Sequence, residues 1–296
     1  MSTVQTTHRV PSDTNPVVRG SGCDAIIPPP PGVPTAHEGT RYVLKNKMKA
    51  KIKAGEPVFG ISIMFPSPHL VEIIGLLGFD WVLIDCEHGS MTAENVEILA
   101  LAAERHGMAP IVRPEVNRPD LIAKYLDRGC MGVQIPHVIT RADAEAAVRA
   151  VKFAPEGMRG LARGTRAGDY GFLGDGPDMV KALNDETLIC IQIEDREALD
   201  NLDEILEADG VDVFFVGPSD LSQSLGHPGD RSHPEVKSAI ADAFARIHAA
   251  GKASGTPGEA AAAAEHVKQG ILYHYTHSQN LIAASGRAYL EAVGRG

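Results

Sequence analysis

Residues Trp81-Val-Leu-Ile-Asp-Cys-Glu-His88 form an apolar run that stops at an acid and is followed by a carboxylate beside an imidazole. No polar residue alternates within the run, so a strand built from it is buried on both faces. That is the mark of a parallel sheet covered on both sides. Seven more short runs share this character: Val58–Met64, Ala109–Arg113, Gly132–Pro136, Leu188–Glu194, Val213–Gly217, Ala253–Gly255 and Ile271–Thr276. Helical stretches with start signals lie between them. Thr140-Arg-Ala-Asp143 precedes the stripe Ala144, Ala147, Val148, Val151, Ser232-His-Pro-Glu235 precedes Val236, Ile240, Phe244, Ile247, and Thr256-Pro-Gly-Glu259 opens a third. Each resembles a capping box followed by apolar residues at helical spacing. Eight strand–helix alternations over residues 41–296 predict a single-domain α/β fold, an eight-fold (β/α) TIM barrel. No G-x-G-x-x-G follows the first strand, which argues against a dinucleotide-binding open sheet.

The first 40 residues differ. They hold seven of the chain's 20 prolines, four of them consecutive at Pro28–Pro31, and show no apolar periodicity. Such a stretch predicts an extended tail or arm over 1–40. It lacks the basic start and apolar core of a secretory signal. With 28 Lys+Arg against 38 Asp+Glu, a net charge of −10, nucleic acid and anionic membranes are poor partners. The apolar runs fall far short of the ~20 residues of a membrane span. Cys23, Cys86, Cys130 and Cys190 are scattered with no CxxC, and read as reduced thiols of a cytoplasmic protein.

In a (β/α) barrel the reactive groups gather where the strands end. Strand 2 ends Asp85-Cys-Glu87-His88, strand 3 in Arg113, strand 4 in Pro136-His137, strand 5 in Gln192-Ile-Glu194 and strand 6 in Gly217-Pro-Ser219-Asp220. Gln192 and Glu194 are two apart and share one face of their strand. Glu194 and Asp220 follow adjacent strands, and two neighbouring anions repel unless a cation bridges them. Oxygen ligands suit a hard divalent ion such as Mg²⁺ or Mn²⁺. The rival reading is that each acid caps the helix that follows it. Arg113 is either an ion-pair partner or a clamp for a carboxylate or oxyanion. His88 is either a satisfied core histidine or a proton-transfer group.

At these residues the sequence resembles the HpcH/HpaI aldolase family, metal-dependent pyruvate aldolases related to macrophomate synthase. The resemblance runs from Arg41 to Ala292, through Gly78-Phe-Asp-Trp-Val-Leu-Ile-Asp-Cys-Glu-His88, Ile111-Val-Arg-Pro114, Gln192-Ile-Glu194, Val216-Gly-Pro-Ser-Asp-Leu-Ser222 and Gly226-His-Pro228. It implies that Glu194 and Asp220 hold a divalent ion (Mg²⁺, Mn²⁺ or Co²⁺) with Gln192 nearby, and that Arg113 steadies a keto oxygen as it becomes an enolate. It implies that His88 is the base, paired with Asp127, and that the neighbourhood of Ser219 binds the substrate carboxylate. The implied substrates are a 2-keto acid (pyruvate or hydroxypyruvate) and an aldehyde, joined in or released from a 4-hydroxy-2-keto acid. A homo-oligomer, trimer or hexamer, with the last helix on a neighbour, is implied too.

One departure falls at strand 8, which ends Leu272-Tyr-His-Tyr-Thr-His277-Ser. Many family members have an apolar run there, followed by a small residue and aspartate. That loop is where an acceptor pocket would be shaped, whereas His274 and His277 without a third ligand make a poor zinc site. Schiff-base chemistry needs a lysine at a strand's C-terminal end, and Lys252 stands at the opening of strand 7 instead. Rival activities are a metal-dependent decarboxylase of oxaloacetate-type acids, which uses the same enolate, and a CoA-ester lyase of the citrate-lyase type. The latter would enlist Arg159, Arg163 and Arg166 of the glycine-rich stretch 157–176 for phosphate. A barrel serving only as a scaffold would lack site residues, and none is missing.

Overall fold

The computed structural model describes residues 44–173 and 176–295, so the proline-rich stretch 1–40 and Cys23 lie outside the described residues. Eight parallel strands close into a barrel in chain order, β1 (Val58–Ile63), β2 (Trp81–Asp85), β3 (Ala109–Arg113), β4 (Gly132–Ile135), β5 (Leu188–Ile193), β6 (Val213–Val216), β7 (Ser254–Pro257) and β8 (Tyr273–His277), with β8 returning to β1. The helices are α1 (Lys47–Lys53), α2 (Pro68–Leu76), α3 (Ala93–Arg105), α4 (Pro119–Asp127), α5 (Arg141–Val151), α6 (Pro177–Glu186), α7 (Arg196–Asp200), α8 (Leu202–Leu206), α9 (Pro218–Ser224), α10 (Pro234–Ala249), α11 (Ala260–Lys268) and α12 (Ser278–Ala292). This is the (β/α)₈ TIM barrel that the strand runs predict.

Period-two alternation divides each strand between two cores. Trp81, Leu83, Ile111, Leu188, Cys190, Phe215, Tyr273 and Tyr275 fill the interior, joined by Met48 and Ile52 of α1, which closes the N-terminal end. Val82, Ile84, Val112, Ile135, Ile191, Ile193 and Val216 face outward and pack beneath the helices. Gly60 lies on the inward face of β1 because nothing larger fits: an added Cβ would stand 2.3 Å from the Trp81 ring.

Two of the three helix-start readings need correction. Thr140 caps α5 as expected, its hydroxyl accepting from the Asp143 amide while Asp143 accepts from the Thr140 amide at 2.8 Å. At α10 the cap is His233 rather than Ser232, its ring accepting from the Glu235 amide. Thr256 caps nothing. It lies inside β7, one residue later than the predicted strand reaches, and its buried hydroxyl donates to Val216 O at 3.1 Å. A threonine that satisfies a neighbouring strand's carbonyl is no longer free to start a helix.

Cys86, Cys130 and Cys190 are buried and unbridged. Burial pushes the Cys86 thiol up to about 12, which makes it unreactive. No helix among the described residues is long and apolar enough to cross a membrane.

Candidate active site

Alternation decides which strand-end groups enter the barrel. Asp85 continues the inward series Trp81, Leu83, and Arg113 continues Ala109, Ile111. The two are direct cross-strand partners in the β2–β3 register. Arg113 Nε donates to Asp85 Oδ1 at 3.0 Å and Nη2 to Oδ2 at 2.5 Å, a bidentate pair buried in the barrel. Asp85 Oδ1 also accepts from the amides of Glu87 and His88, at 3.1 and 3.2 Å. One carboxylate therefore sets both the arginine and the backbone that carries His88. Asp85 drew no role from sequence, although its place two residues beyond Leu83 was the available signal.

The Asp85 fork leaves Nη1 of Arg113 with only a 3.4 Å contact to Gln192 Oε1. Gln192 belongs to a chain of hydrogen bonds crossing the barrel. Tyr273 donates to Gln134 at 2.9 Å, Gln134 Nε2 to Gln192 Oε1 at 2.6 Å, and Gln192 Nε2 to Glu194 Oε2 at 2.5 Å. Such chains polarise in one direction and hold their last member in place. Here that member is Glu194.

Glu194 is buried, and burial pushes its carboxyl up to about 7, with Asp220 and Glu87 adding to the rise against His137. Gly217 makes room for it, since a Cβ there would lie 2.6 Å from Glu194 Oε2. The Asp220 side chain forms no hydrogen bond or ion pair with the described residues. Neither acid caps a helix: α7 follows Asp195 and α9 follows Gly217, both without a side-chain cap. A buried carboxylate with raised proton affinity and an unpaired one at the same barrel mouth form an oxygen donor set whose charge suits a cation. Two such acids with water completing the shell fit a hard divalent ion. Among the described residues, another group of possible ligands lies at the start of α10, where His227, His233 and Glu235 meet and Glu235 also binds Arg196.

Two further groups enter from β2 and β4. Burial raises the Glu87 carboxyl against the pull of Arg113, whose Nε is 3.1 Å from Glu87 Oε2. His137 follows β4 in the left-handed region, at φ 50°, and its amide donates to Glu194 Oε1 at 3.0 Å. Non-glycine residues hold such a conformation only where their surroundings compel it. Burial opposes charge on its ring, but Asp195 at 3.1 Å, Glu194 and Glu87 outweigh burial and raise its pKa. His137 entered the sequence reading only as a strand-end residue. Its bridging place depends on a backbone turn that spacing does not reveal.

His88 is about half exposed, with Nε2 3.8 Å from Glu87 Oε2, and Ser219 is exposed at the start of α9. The expected pairing of His88 with Asp127 is not made within the chain. Asp127 ends α4, at the end of the barrel opposite the strand C-termini, and its Oδ1 accepts from Arg159 Nη2 at 2.7 Å. Arg159 is buried over the Phe153 ring, and Arg166 pairs with Glu104 at the end of α3. These two arginines of the glycine-rich stretch therefore serve the far face and do not reach the mouth. A cavity of about 370 Å³ lined by Glu104, Cys130, Arg166 and Leu183 also lies on that face. His274 and His277, three apart, fall on opposite faces of β8, which rules out a shared zinc ion: His274 stacks outward on Phe59 and His277 packs on inward-facing Tyr275.

Known proteins resemble this chain in sequence and fold. The family model described as HpcH/HpaI aldolase/citrate lyase matches residues 62–276. A pyruvate aldolase of Rhizobium etli is 40% identical over 220 residues, covering 74% of this chain and 85% of its own. A hydroxypyruvate/pyruvate aldolase of Sagittula stellata is 40% identical over 214 residues, covering 72% and 82%. Among solved structures, a HpcH/HpaI aldolase/citrate lyase family protein from Burkholderia cenocepacia superposes with a TM-score of 0.79 at 31% identity, covering 84% of this chain and 99% of that one.

Proposed function

The chain belongs to the HpcH/HpaI aldolase/citrate lyase family, and from that premise we propose that it is a divalent-metal-dependent carbon–carbon lyase. It cleaves or forms 4-hydroxy-2-keto acids, with pyruvate or hydroxypyruvate and an aldehyde as the partners. The observation that carries this reading is Arg113, locked inward by Asp85, at the same barrel mouth as the under-compensated pair Glu194 and Asp220.

Glu194 and Asp220 would hold Mg²⁺, Mn²⁺ or Co²⁺, which when bound supplies Lewis-acid charge beside the keto oxygen. His88 takes the proton of the C4 hydroxyl. The C3–C4 bond then breaks, its electrons pass into the enolate of the keto acid, and the aldehyde leaves. Arg113 offers Nη1 to the oxygen on which negative charge grows, and it pays no reorganisation cost because Asp85 already orients it. Gln192 positions Glu194 and Arg113, and Ser219 lies at hand for the substrate carboxylate. Among the described residues no lysine stands at an inward strand end, so a Schiff base has no nucleophile there. The oxaloacetate-type decarboxylase shares this enolate and differs only in the leaving group. The CoA-ester reading loses Arg159 and Arg166 as phosphate contacts.

The scattered, buried thiols support a cytoplasmic location. A homo-oligomer, trimer or hexamer, is supported by α12, where Ser278 alone is buried while Ile282, Tyr289 and Leu290 are exposed. Any action of Asp127 on His88 would have to pass between two copies.

The test is a coupled pyruvate assay with and without EDTA. His88→Ala should lose aldol cleavage by roughly 10²–10⁴-fold while oxaloacetate decarboxylation, which needs no hydroxyl proton removed, falls far less. Arg113→Ala should damage both. Absence of any metal-dependent activity in the wild type sinks the enolate mechanism, and equal losses in both reactions for His88→Ala remove His88 as the base.

A further inference from the structure

Two polar atoms in the barrel mouth take no part in the mechanism above. Ser62 is fully buried on β1 and its Oγ has no hydrogen-bond partner, and neither has the buried Nδ1 of His277 at the end of β8. These residues are direct partners in the β8–β1 register, so their backbones are about 4.8 Å apart. Both lie on inward series, Ser62 after Val58 and Gly60, His277 after Tyr273 and Tyr275. Unsatisfied buried polar groups are uncommon because each forfeits its hydration without return. Two side by side at a catalytic mouth offer a polar pair to a bound ligand.

The chemistry of the group this pair suits follows from its own atoms. The His277 ring meets Tyr275 edge-on, with centroids 5.5 Å apart. Burial first, and then Arg113, disfavour its protonated form, while Asp85, His88 and Arg231 also act on it. The ring is therefore neutral and presents one donor and one acceptor nitrogen, and Ser62 likewise both donates and accepts. A carboxylate accepts only and calls for a cation, and an alkyl group would leave both atoms unpaired. A hydroxyl matches both. Nε2 of His277 lies at an open edge of the imidazole, and a half-turn of the ring about its two-fold torsion exchanges the buried Nδ1 with Cδ2 and so turns that nitrogen to the other side of the ring.

We propose that Ser62 and His277 form a subsite for a substrate hydroxyl carried at the reacting C3–C4 bond or one carbon beyond it, and so select hydroxylated over unhydroxylated substrates. The proposal rests on the aldolase reading for the chemistry of the neighbouring groups. The hydroxyl has two possible sources, the C3 hydroxyl of hydroxypyruvate as donor and the 2-hydroxyl of glycolaldehyde as acceptor.

The experiment measures kcat/KM ratios on the full-length, metal-supplemented protein. One arm compares hydroxypyruvate with pyruvate against a fixed aldehyde, and the other compares glycolaldehyde with acetaldehyde against pyruvate. Ser62→Ala and His277→Leu should each lower the hydroxylated-to-unhydroxylated ratio about five- to tenfold, the loss of one hydrogen bond, in the arm that carries the hydroxyl. His277→Asn, which keeps a donor and an acceptor, should restore part of the ratio. The melting temperature of Ser62→Ala should not fall, because no native hydrogen bond is removed. Unchanged ratios in both arms, or parallel losses on all substrates, overturn the subsite. Calorimetric titration of the four compounds reads the same preference without turnover. If no pair turns over, the aldolase reading fails, while a hydroxyl preference in binding that disappears in the variants upholds the subsite and its absence overturns it.

Discussion

At the scale of single residues, the site is governed by how its carboxylates are compensated. Glu194 holds its proton up to about 7 in the metal-free protein, so a cation must displace that proton whenever the pH is lower. Apparent affinity for Mn²⁺ should therefore fall by about tenfold per pH unit below about pH 7, and calorimetry across that range checks it. Asp220→Asn should fold normally and weaken the same affinity at least tenfold, the least that loss of even an outer partner of a metal site costs. Unchanged affinity would remove Asp220 as a ligand. The linkage to stability has a definite sign. A carboxyl raised from 4.5 to about 7 on folding contributes stability that is full below 4.5 and lost as pH rises through 7. His137, also raised, adds a contribution of the same sign. The melting temperature of the metal-free protein should thus drop between about pH 5 and about pH 8, and added divalent ion should reverse most of the drop.

At the scale of elements, the barrel interior ties β1 to β2 through one absent side chain. Gly60 faces the fully buried indole of Trp81, and a methyl group there would lie within 2.3 Å of a ring that has no room to move. Gly60→Ala should therefore destabilise the barrel by about 2 kcal/mol, as overpacking of a close-packed core does. Thermal unfolding should show the loss, a few degrees for a domain of this size. Wild-type stability would mean that the strand can shift outward. Such a shift would carry Ser62, two residues on, away from the mouth.

At the scale of the whole molecule, the two ends of the barrel have separate duties. The C-terminal end gathers Asp85, Arg113, Glu194 and Asp220, and the far end anchors the glycine-rich stretch through Asp127 and Arg159. Asp127→Asn strips a buried guanidinium of its partner and should cost up to about 3 kcal/mol, measured by thermal unfolding. A variant as stable as the wild type would deny Asp127 that anchoring role. The outer surface leaves Ile282, Tyr289 and Leu290 of α12 uncovered. Tyr289→Asp together with Ile282→Asp should shift sedimentation toward a smaller species if this helix packs on a second copy. An unchanged sedimentation coefficient would place the contact elsewhere.

Apolar runs and their end residues are enough to specify the barrel and the groups at its mouth. Strand runs apolar on both faces admit one kind of sheet, and the last residue of each strand is legible once the run is found. The ends of β2 and β3 were read to the residue, and the same alternation assigned Gln192 and Glu194 to one face. Which of these groups pair with one another is set by the closed barrel. Asp85 became the anchor of Arg113 because cross-strand register set them opposite each other. His137 joined the acids because its backbone turns left-handed, and Asp127 left the site because a helix carries its C-terminus to the other end of the barrel. Local periodicity records which face a residue takes. Register, chain direction and turn conformation set which residues from distant stretches meet, and these are fixed only when the barrel closes.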